Sequence, residues 1–479
     1  MFAVTLGWVV VAVPFLIFDG TPFRVLVTDQ DGQPVSGVAV TTGVDQFYTN
    51  VAGVVQLEWR RQPIELSVAS PGFVSTTLSV IAKPETDLTA EISERVLVGV
   101  VTTGGEQPLS GALVDFSGEV AVTGEDGGFT FRRVEPGRIT ANRPAWTTAE
   151  AEWDGSDSPV KLSIDPLIIR AIHITGPAAA DSGLWQGFLD LAEATAVNGL
   201  MIDLKDETGK VYYETTVPLA AEVGAVGAGY DLPALLADAQ SAGLYVIGRV
   251  VAFQDPKVPK SRPELSVWDS ATGAPYENHD QFFLDPTDPE VRDYAFSIAE
   301  EACRLGVDEV QFDYVRFPDG FPESARFDGG STEAIRIATI SGFLSEAGDR
   351  LRPLGCAVAA DVFGFTASVP NDGGIGQRWE EVTAAVDVVS PMLYPSHYYP
   401  GWFEFQTPND HPGPVVSRAL DDGLSRMSSS VVIRPWLQDF WYTADQVRAQ
   451  IIEAEERGLG WMLWNAGSRF STEALGPPE

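Results

Sequence analysis

A chain of 479 residues is too long for one typical domain and long enough for a barrel-sized core with smaller modules beside it, so about three domains are expected. A hydrophobic content of 44%, with 12 Trp and 25 Phe, excludes a disordered chain, which could not leave that much apolar side chain unburied. The 67 acidic and 31 basic residues leave a formal charge of −36 without any Lys/Arg run, which excludes nucleic acid as a partner and reads as solvation of the whole surface.

Met1 to Phe18, MFAVTLGWVVVAVPFLIF, is apolar throughout and is followed by Asp19. Residues 1–20 are therefore predicted to be an export signal or short membrane anchor, which places the protein outside the cytoplasmic membrane, secreted or held at the cell envelope. No basic segment precedes the apolar run and no small-x-small cleavage site follows it, so release and membrane retention both stay open. No other stretch is long enough to span a bilayer. Two cysteines, Cys303 and Cys356, can build neither a disulfide framework nor a Cys-rich metal site, and are expected as buried thiols.

A repeat occupies the next 145 or so residues. DGQPVSG at Asp31 returns as GEQPLSG 74 residues later, and TNVAGVVQL at Thr49 returns as TGEDGGFTF at the same spacing. Each copy alternates apolar and polar residues in short runs broken by Gly, Pro and Asp turns, the pattern of half-buried antiparallel strands. Two all-β sandwich modules are predicted, at 21–94 and 95–165. The turn pattern resembles that of carboxypeptidase-regulatory-like, Ig-type domains, a resemblance that implies a fold rather than an activity; Asp31, Asp126 and Gly127 then serve turns. Trp146 and Trp153 are candidates for a sugar-stacking platform or for core packing.

From Ile168 onward, β-branched apolar runs alternate with segments of helical period. Eight runs, beginning near residues 168, 199, 245, 307, 355, 386, 431 and 459, predict a (β/α)8 barrel over 166–475. The connection between the third and fourth runs is the longest, and long loops after barrel strands commonly build the active face. In it, DPTDPE offers Asp288 as a helix N-cap with Pro289 at the first helical position.

The fourth run, VDEVQFDYVRFPDG, puts Gln311 and Asp313 on one face and Val310, Phe312 and Tyr314 on the other. An apolar face packs on helices, so Asp313 points into the barrel mouth. The same alternation groups Met201, Asp203 and Lys205 on the second strand and Ala357, Ala359 and Asp361 on the fifth. Carboxylates converging at the C-terminal ends of strands suit glycoside hydrolysis, which needs one ionised and one protonated acid. Asp313, Asp361 and Asp203 are the candidate catalytic residues. Arg316 is expected to keep Asp313 charged and Lys205 to pair with Asp203; alternatively these groups form a structural ion network with Arg249 and Arg316.

Residues 166–470, through IHITG, MIDLKDETG, FQDP, FDYVRFPDG, PMLYPSHY and WMLWN, resemble a glycoside-hydrolase barrel family of largely uncharacterised bacterial proteins, itself distantly similar to the α-amylase superfamily. That resemblance implies Asp313 as the nucleophile, with Gln311 where the amylase pattern has an arginine and Asp361 where it has the acidic glutamate. Gln438 and Asp439 stand in place of its His-Asp pair. The expected partner is a polysaccharide or oligosaccharide. Lys205, Arg249, Arg316, Tyr394, His397, Trp436, Gln438, Asp439, Trp464 and Asn465 are the candidate substrate-binding residues, and Tyr398, Tyr399, Phe440 and Trp441 add aromatic faces on which sugar rings stack.

No cofactor or metal is implied. Asp203, Asp206, Asp255 and His397 could ligate a hard metal, but His-x-His and His-Glu-x-x-His are absent, as are a phosphate-binding GxxxxGK[ST] and a GxSxG nucleophile elbow. The rival reading is a non-catalytic carbohydrate-binding or envelope scaffold protein that keeps the cleft and has lost the acid.

Overall fold

The computed structural model describes residues 20–104, 106–227, 229–278, 281–427 and 430–478. The expected leader, Met1 to Phe18, lies outside the described residues. By their contacts the residues form two compact units: one reaches Asn142 and resumes over Thr148–Ile164, and the other takes Arg143–Thr147 and the chain from Asp165 onward.

In the first unit the described residues contain no helix. The first repeat places the sheet Val54–Trp59, Thr21–Thr28, Leu88–Glu91 against a second sheet built from Asp45–Tyr48, Ala39–Thr42, Ile64–Ala69 and Thr76–Val80. Inward residues of both sheets, among them Val25, Val27, Val40 and Leu66, form one fully buried core, as strand alternation requires. The second repeat rebuilds both sheets, and its hydrogen bonds recur 74 residues on. Thr49 Oγ1 accepts from Val38 N at 2.9 Å and donates to Val35 O, while Thr123 Oγ1 accepts from Ala112 N at 2.9 Å and donates to Leu109 O. Gly53 and Gly127 both sit at φ 70°, and a Cβ there would fall 2.7 Å from Val27 O and 2.4 Å from Val101 O, so only glycine fits. Trp153 in this unit, and Trp146 in the Arg143–Thr147 segment of the other, are both buried, as packing residues would be.

The second unit is a closed barrel of eight parallel strands: Arg170–Ile174, Gly199–Lys205, Tyr245–Val251, Glu309–Asp313, Ala357–Phe363, Val388–Leu393, a seventh split into Val432–Ile433 and Trp436–Gln438, and Trp461–Trp464. The first and eighth strands pair, which closes the ring. Pro435, lacking an N–H for the ladder, sits in the break of the seventh. Outward residues such as Val310 and Phe312 pack on helices, with Phe312 edge-on to Phe343 at 5.0 Å. Inward residues Ala171, Met201, Ile247, Trp436 and Met462 fill the interior, and beneath the mouth a fully buried Arg434–Glu309 ion pair spans it at 2.7 Å.

Four expectations need correction. Cys303, on the helix Pro289–Leu305, and Cys356, just before strand five, are not free thiols but form a disulfide. The register slips between Asp203 and Lys205, a bulge that breaks alternation and turns Lys205 away from the mouth: its Nζ lies 3.0 Å from Asp255 Oδ2, not on Asp203. Tyr314, counted on the helix-facing side, follows the last strand residue at φ 49° and joins the cavity wall. Finally, none of the described residues of the long connection 256–288 lines the central cavity, although Asp288 does cap its helix as expected, accepting from Glu290 N at 2.7 Å.

Candidate active site

Asp313 ends strand four with its side chain at the mouth, where a buried charge must find partners. Its Oδ2 accepts from Arg249 Nε at 2.9 Å and Nη2 at 2.5 Å, and its Oδ1 accepts from Tyr314 N at 2.6 Å. That last bond depends on the left-handed backbone at Tyr314, a conformation that bulky side chains rarely adopt and that tends to be stored at functional sites. Arg249, from strand three, also donates through Nη1 to Asp203 Oδ1 at 2.8 Å, and His173 Nε2 lies 3.0 Å from the same oxygen. Burial opposes charge on Asp203, but His173 and Arg249 together outweigh it and hold the carboxyl at about 2. A chain His173–Asp203–Arg249–Asp313 thus runs inward from the mouth. The expected helper Arg316 is elsewhere: it bonds Asp319 at 3.1 Å and lies 4.8 Å over the Phe363 ring.

Asp361, on strand five, is almost fully buried and shares the cavity wall with Asp313. Burial raises its carboxyl well above the usual range, the charge of Asp313 pushes it further, and two donors, Gln311 Nε2 and Trp436 Nε1, pull only partly the other way. Both donors converge on one oxygen, Oδ1, with Trp436 at 2.6 Å. With both donors on Oδ1, a proton on Asp361 would sit on Oδ2. The two carboxyls thus sit in unlike surroundings, one gripped by an arginine and one raised by burial, and glycosidic cleavage calls for two carboxyls that differ in this way.

These groups open into a cavity of about 610 Å³ with a largely aromatic wall. Of the residues expected from the sequence, Asp313, Asp361, Arg249, Arg316, Tyr394, His397, Tyr398, Tyr399, Trp436 and Trp464 line it. Asp203, Lys205, Gln438, Asp439 and Asn465 do not. Asp203 backs Arg249, and Gln438 accepts from Ser396 N at 3.1 Å and donates to Phe440 O, tying together the loops after strands six and seven. Asp439, raised by burial, accepts from Asn465 Nδ2 at 2.8 Å. Asp206 accepts from Tyr212 Oη at 2.7 Å, so with Asp255 on Lys205 the hard-ligand set named from the sequence is dispersed. Among the described residues no group of three or more His, Cys, Asp or Glu side chains is placed to hold a metal ion.

Sequence reasoning missed Glu207, Phe363, Phe365, Gln377 and Trp402, which line the same cavity. Phe363 and Phe365 stand two and four residues after Asp361 in ADVFGF, so following the alternation four residues further would have found them. Trp402 lies in an irregular turn after strand six that no periodicity marks. His173, in IHITG, carries an alternation signal on strand one: it shares the inner face with Ala171.

A family profile described as "Putative glycosyl hydrolase domain" matches residues 171–470. Among solved structures, a hypothetical protein from Ruminiclostridium thermocellum is 35% identical over 40% of this chain and 97% of its own, with a TM-score of 0.37. A noncanonic maltogenic alpha-amylase from Thermotoga neapolitana is 13% identical over 65% of this chain and 69% of its own, at 0.40. The glycoside hydrolase domain of PelA from Pseudomonas aeruginosa is 12% identical over 63% and 96%, at 0.38. No curated protein matches the chain.

Proposed function

Since the chain belongs to the family described as "Putative glycosyl hydrolase domain", we propose that its barrel cleaves a glycosidic bond with Asp361 as the acid and Asp313 as the ionised carboxylate. The observation that carries this reading is the unequal treatment of the two carboxyls within one cavity. Arg249 donates twice to Asp313, while Asp361 accepts from the neutral side chains of Gln311 and Trp436 and is raised by burial and the neighbouring negative charge. Asp361 Oδ2 gives its proton to the glycosidic oxygen as the C1–O bond breaks, and the leaving group departs as an alcohol. Positive charge develops at C1 and on the ring oxygen as that bond breaks, and water then bonds to C1, giving up a proton that returns to Asp361. The Asp313 carboxylate faces that charge and favours the transition state over the neutral substrate, which is the differential binding catalysis requires. Asp203 and His173 act through Arg249 as positioning residues.

The charge around the cavity supports a neutral or amino sugar over a uronate or sulfated one. Arg249 is shared among Asp313, Asp203 and Glu207, and Arg316 is matched by Asp319, so neither arginine among the described residues of the cavity wall is left over for a substrate anion. The Cys303–Cys356 disulfide supports work outside the cytoplasm, where such bonds persist and polysaccharides are met. The test is incubation of the full chain with a panel of neutral oligosaccharides and measurement of new reducing ends. Cleavage abolished in Asp361→Asn supports the proposal; binding without cleavage by the unaltered chain overturns it in favour of a carbohydrate-binding scaffold.

A further inference from the structure

Trp441 is 83% exposed, although tryptophan is the side chain that gains most by burial. Its backbone adds a second anomaly, a φ of 64° in the left-handed region, where a bulky side chain is strained. Trp441 takes this backbone in a turn, which a smaller residue would make at less cost, and its indole faces solvent rather than the core; a bulky side chain kept at such a position points to a ligand that uses it. Its position is specific. Trp441 lies three residues beyond strand seven, on the barrel's active face, and its ring stands edge-on to Phe440 at 5.0 Å. Phe440 in turn contacts Tyr394 at 5.5 Å and His397 at 6.0 Å, and both of those line the catalytic cavity. The aromatic surface therefore runs unbroken from the cavity wall to an exposed indole outside it.

We propose that Trp441 is a stacking platform for a pyranose ring of the same saccharide chain whose reacting bond lies at Asp313 and Asp361, several sugar units away from that bond. Indole faces pack on the apolar face of a sugar ring, and an outer platform reached along a continuous aromatic wall is occupied only by substrates long enough to span it. The substrate class is thus an extended oligosaccharide or polysaccharide rather than a disaccharide. This inference rests on the glycosidase reading of the cavity and adds the length requirement to it.

The test uses the full chain in an Asp313→Asn background, titrated calorimetrically with cello-, malto- and N-acetylchito-oligosaccharides of two to eight units. Trp441→Ala is expected to weaken binding of the longest oligomers about tenfold, a loss of about 1.4 kcal/mol, and that of the shortest bound oligomer less than twofold. Trp441→Phe retains most of the affinity. Trp441→Gly, which removes the strain at a positive φ, is expected to weaken long oligomers equally while melting no lower than the parent. An equal loss at every length, or none, overturns the platform and leaves the cavity assignment standing. If no oligomer binds either the parent or the variants, the platform and the glycosidase reading both fall.

Discussion

Arg249 grips Asp313 through two nitrogens, Nε and Nη2, both converging on Oδ2, and spends its third on Asp203. The geometry is that of a rigid guanidinium fork, which an ammonium cannot copy. Asp313→Asn is expected to lower turnover about 10³-fold with oligosaccharide binding retained, because the amide keeps shape and removes only the charge that faces the transition state. Arg249 keeps Asp203 and Glu207, so the fold survives at a cost of about 2 kcal/mol. Steady-state kinetics and thermal melts check both; a variant that keeps most of its activity makes Asp313 a structural ion. Arg249→Lys should lower kcat more than it changes KM, since it disturbs the orientation of Asp313 and not the aromatic wall.

With Asp361 as the proposed acid, its ionisation is expected to set the alkaline side of the pH profile. Its folded-state carboxyl lies well above the unfolded value of about 4, so activity is expected to persist well above the pH at which a free carboxyl ionises and to fall as the acid loses its proton. Trp436→Phe removes one donor to Oδ1 that favours the charged form, and the alkaline limb should move to higher pH. A limb that stays put or moves down would show that Asp361 is not the titrating acid.

The same raised group costs stability. Folding binds the Asp361 proton more tightly than the unfolded chain does, so the folded state loses relative stability as pH climbs from about 4 toward the raised value. Asp361→Asn carries no such penalty: its Oδ1 still accepts from Gln311 and Trp436, and its amide nitrogen faces the cavity. The inactive variant is expected to melt higher than the parent at pH 8, with the gap closing by pH 4, as scanning calorimetry would record.

Asp203 behaves oppositely. Held at about 2 by His173 and Arg249 against its burial, it contributes stability that is present above the unfolded value of about 4 and is lost as pH falls through 2, about 2 kcal/mol in all. Asp203→Asn should flatten that acid limb of the stability curve, and it should lower kcat through Arg249 without lengthening the reaction's substrate requirement. Denaturant unfolding between pH 5 and pH 2 measures the first effect.

The Cys303–Cys356 disulfide closes a sequence separation of 53 residues between a barrel helix and strand five. Chain-entropy arguments give such a loop about 4 kcal/mol. Full reduction, or Cys303→Ser, is expected to lower the denaturation midpoint of the barrel with kcat unchanged at 25 °C, because neither cysteine is among the residues lining the central cavity.

The two-fold repeat, the eight strands and the placing of Asp313 and Asp361 at one mouth were legible in the sequence, because each rests on local periodicity. The 74-residue offset fixes paired turns such as Gly53 and Gly127, and alternation along VQFD and AAD fixes which side chains face inward. Alternation fails wherever the backbone leaves the strand conformation. The bulge after Asp203 sent Lys205 to Asp255, and the left-handed residue after Asp313 brought Tyr314 into the cavity. Partner choice was also beyond sequence: Arg249 and Arg316 are equally plausible cations for Asp313 until the curvature of the barrel brings strand three alongside strand four and leaves Arg316 on the loop above, paired with Asp319. The pairing of the two cysteines was decided in the same way, by the packing of a helix over the start of strand five. Local pattern determines which face a residue occupies; only the closed barrel decides which residue, from which strand, it meets there.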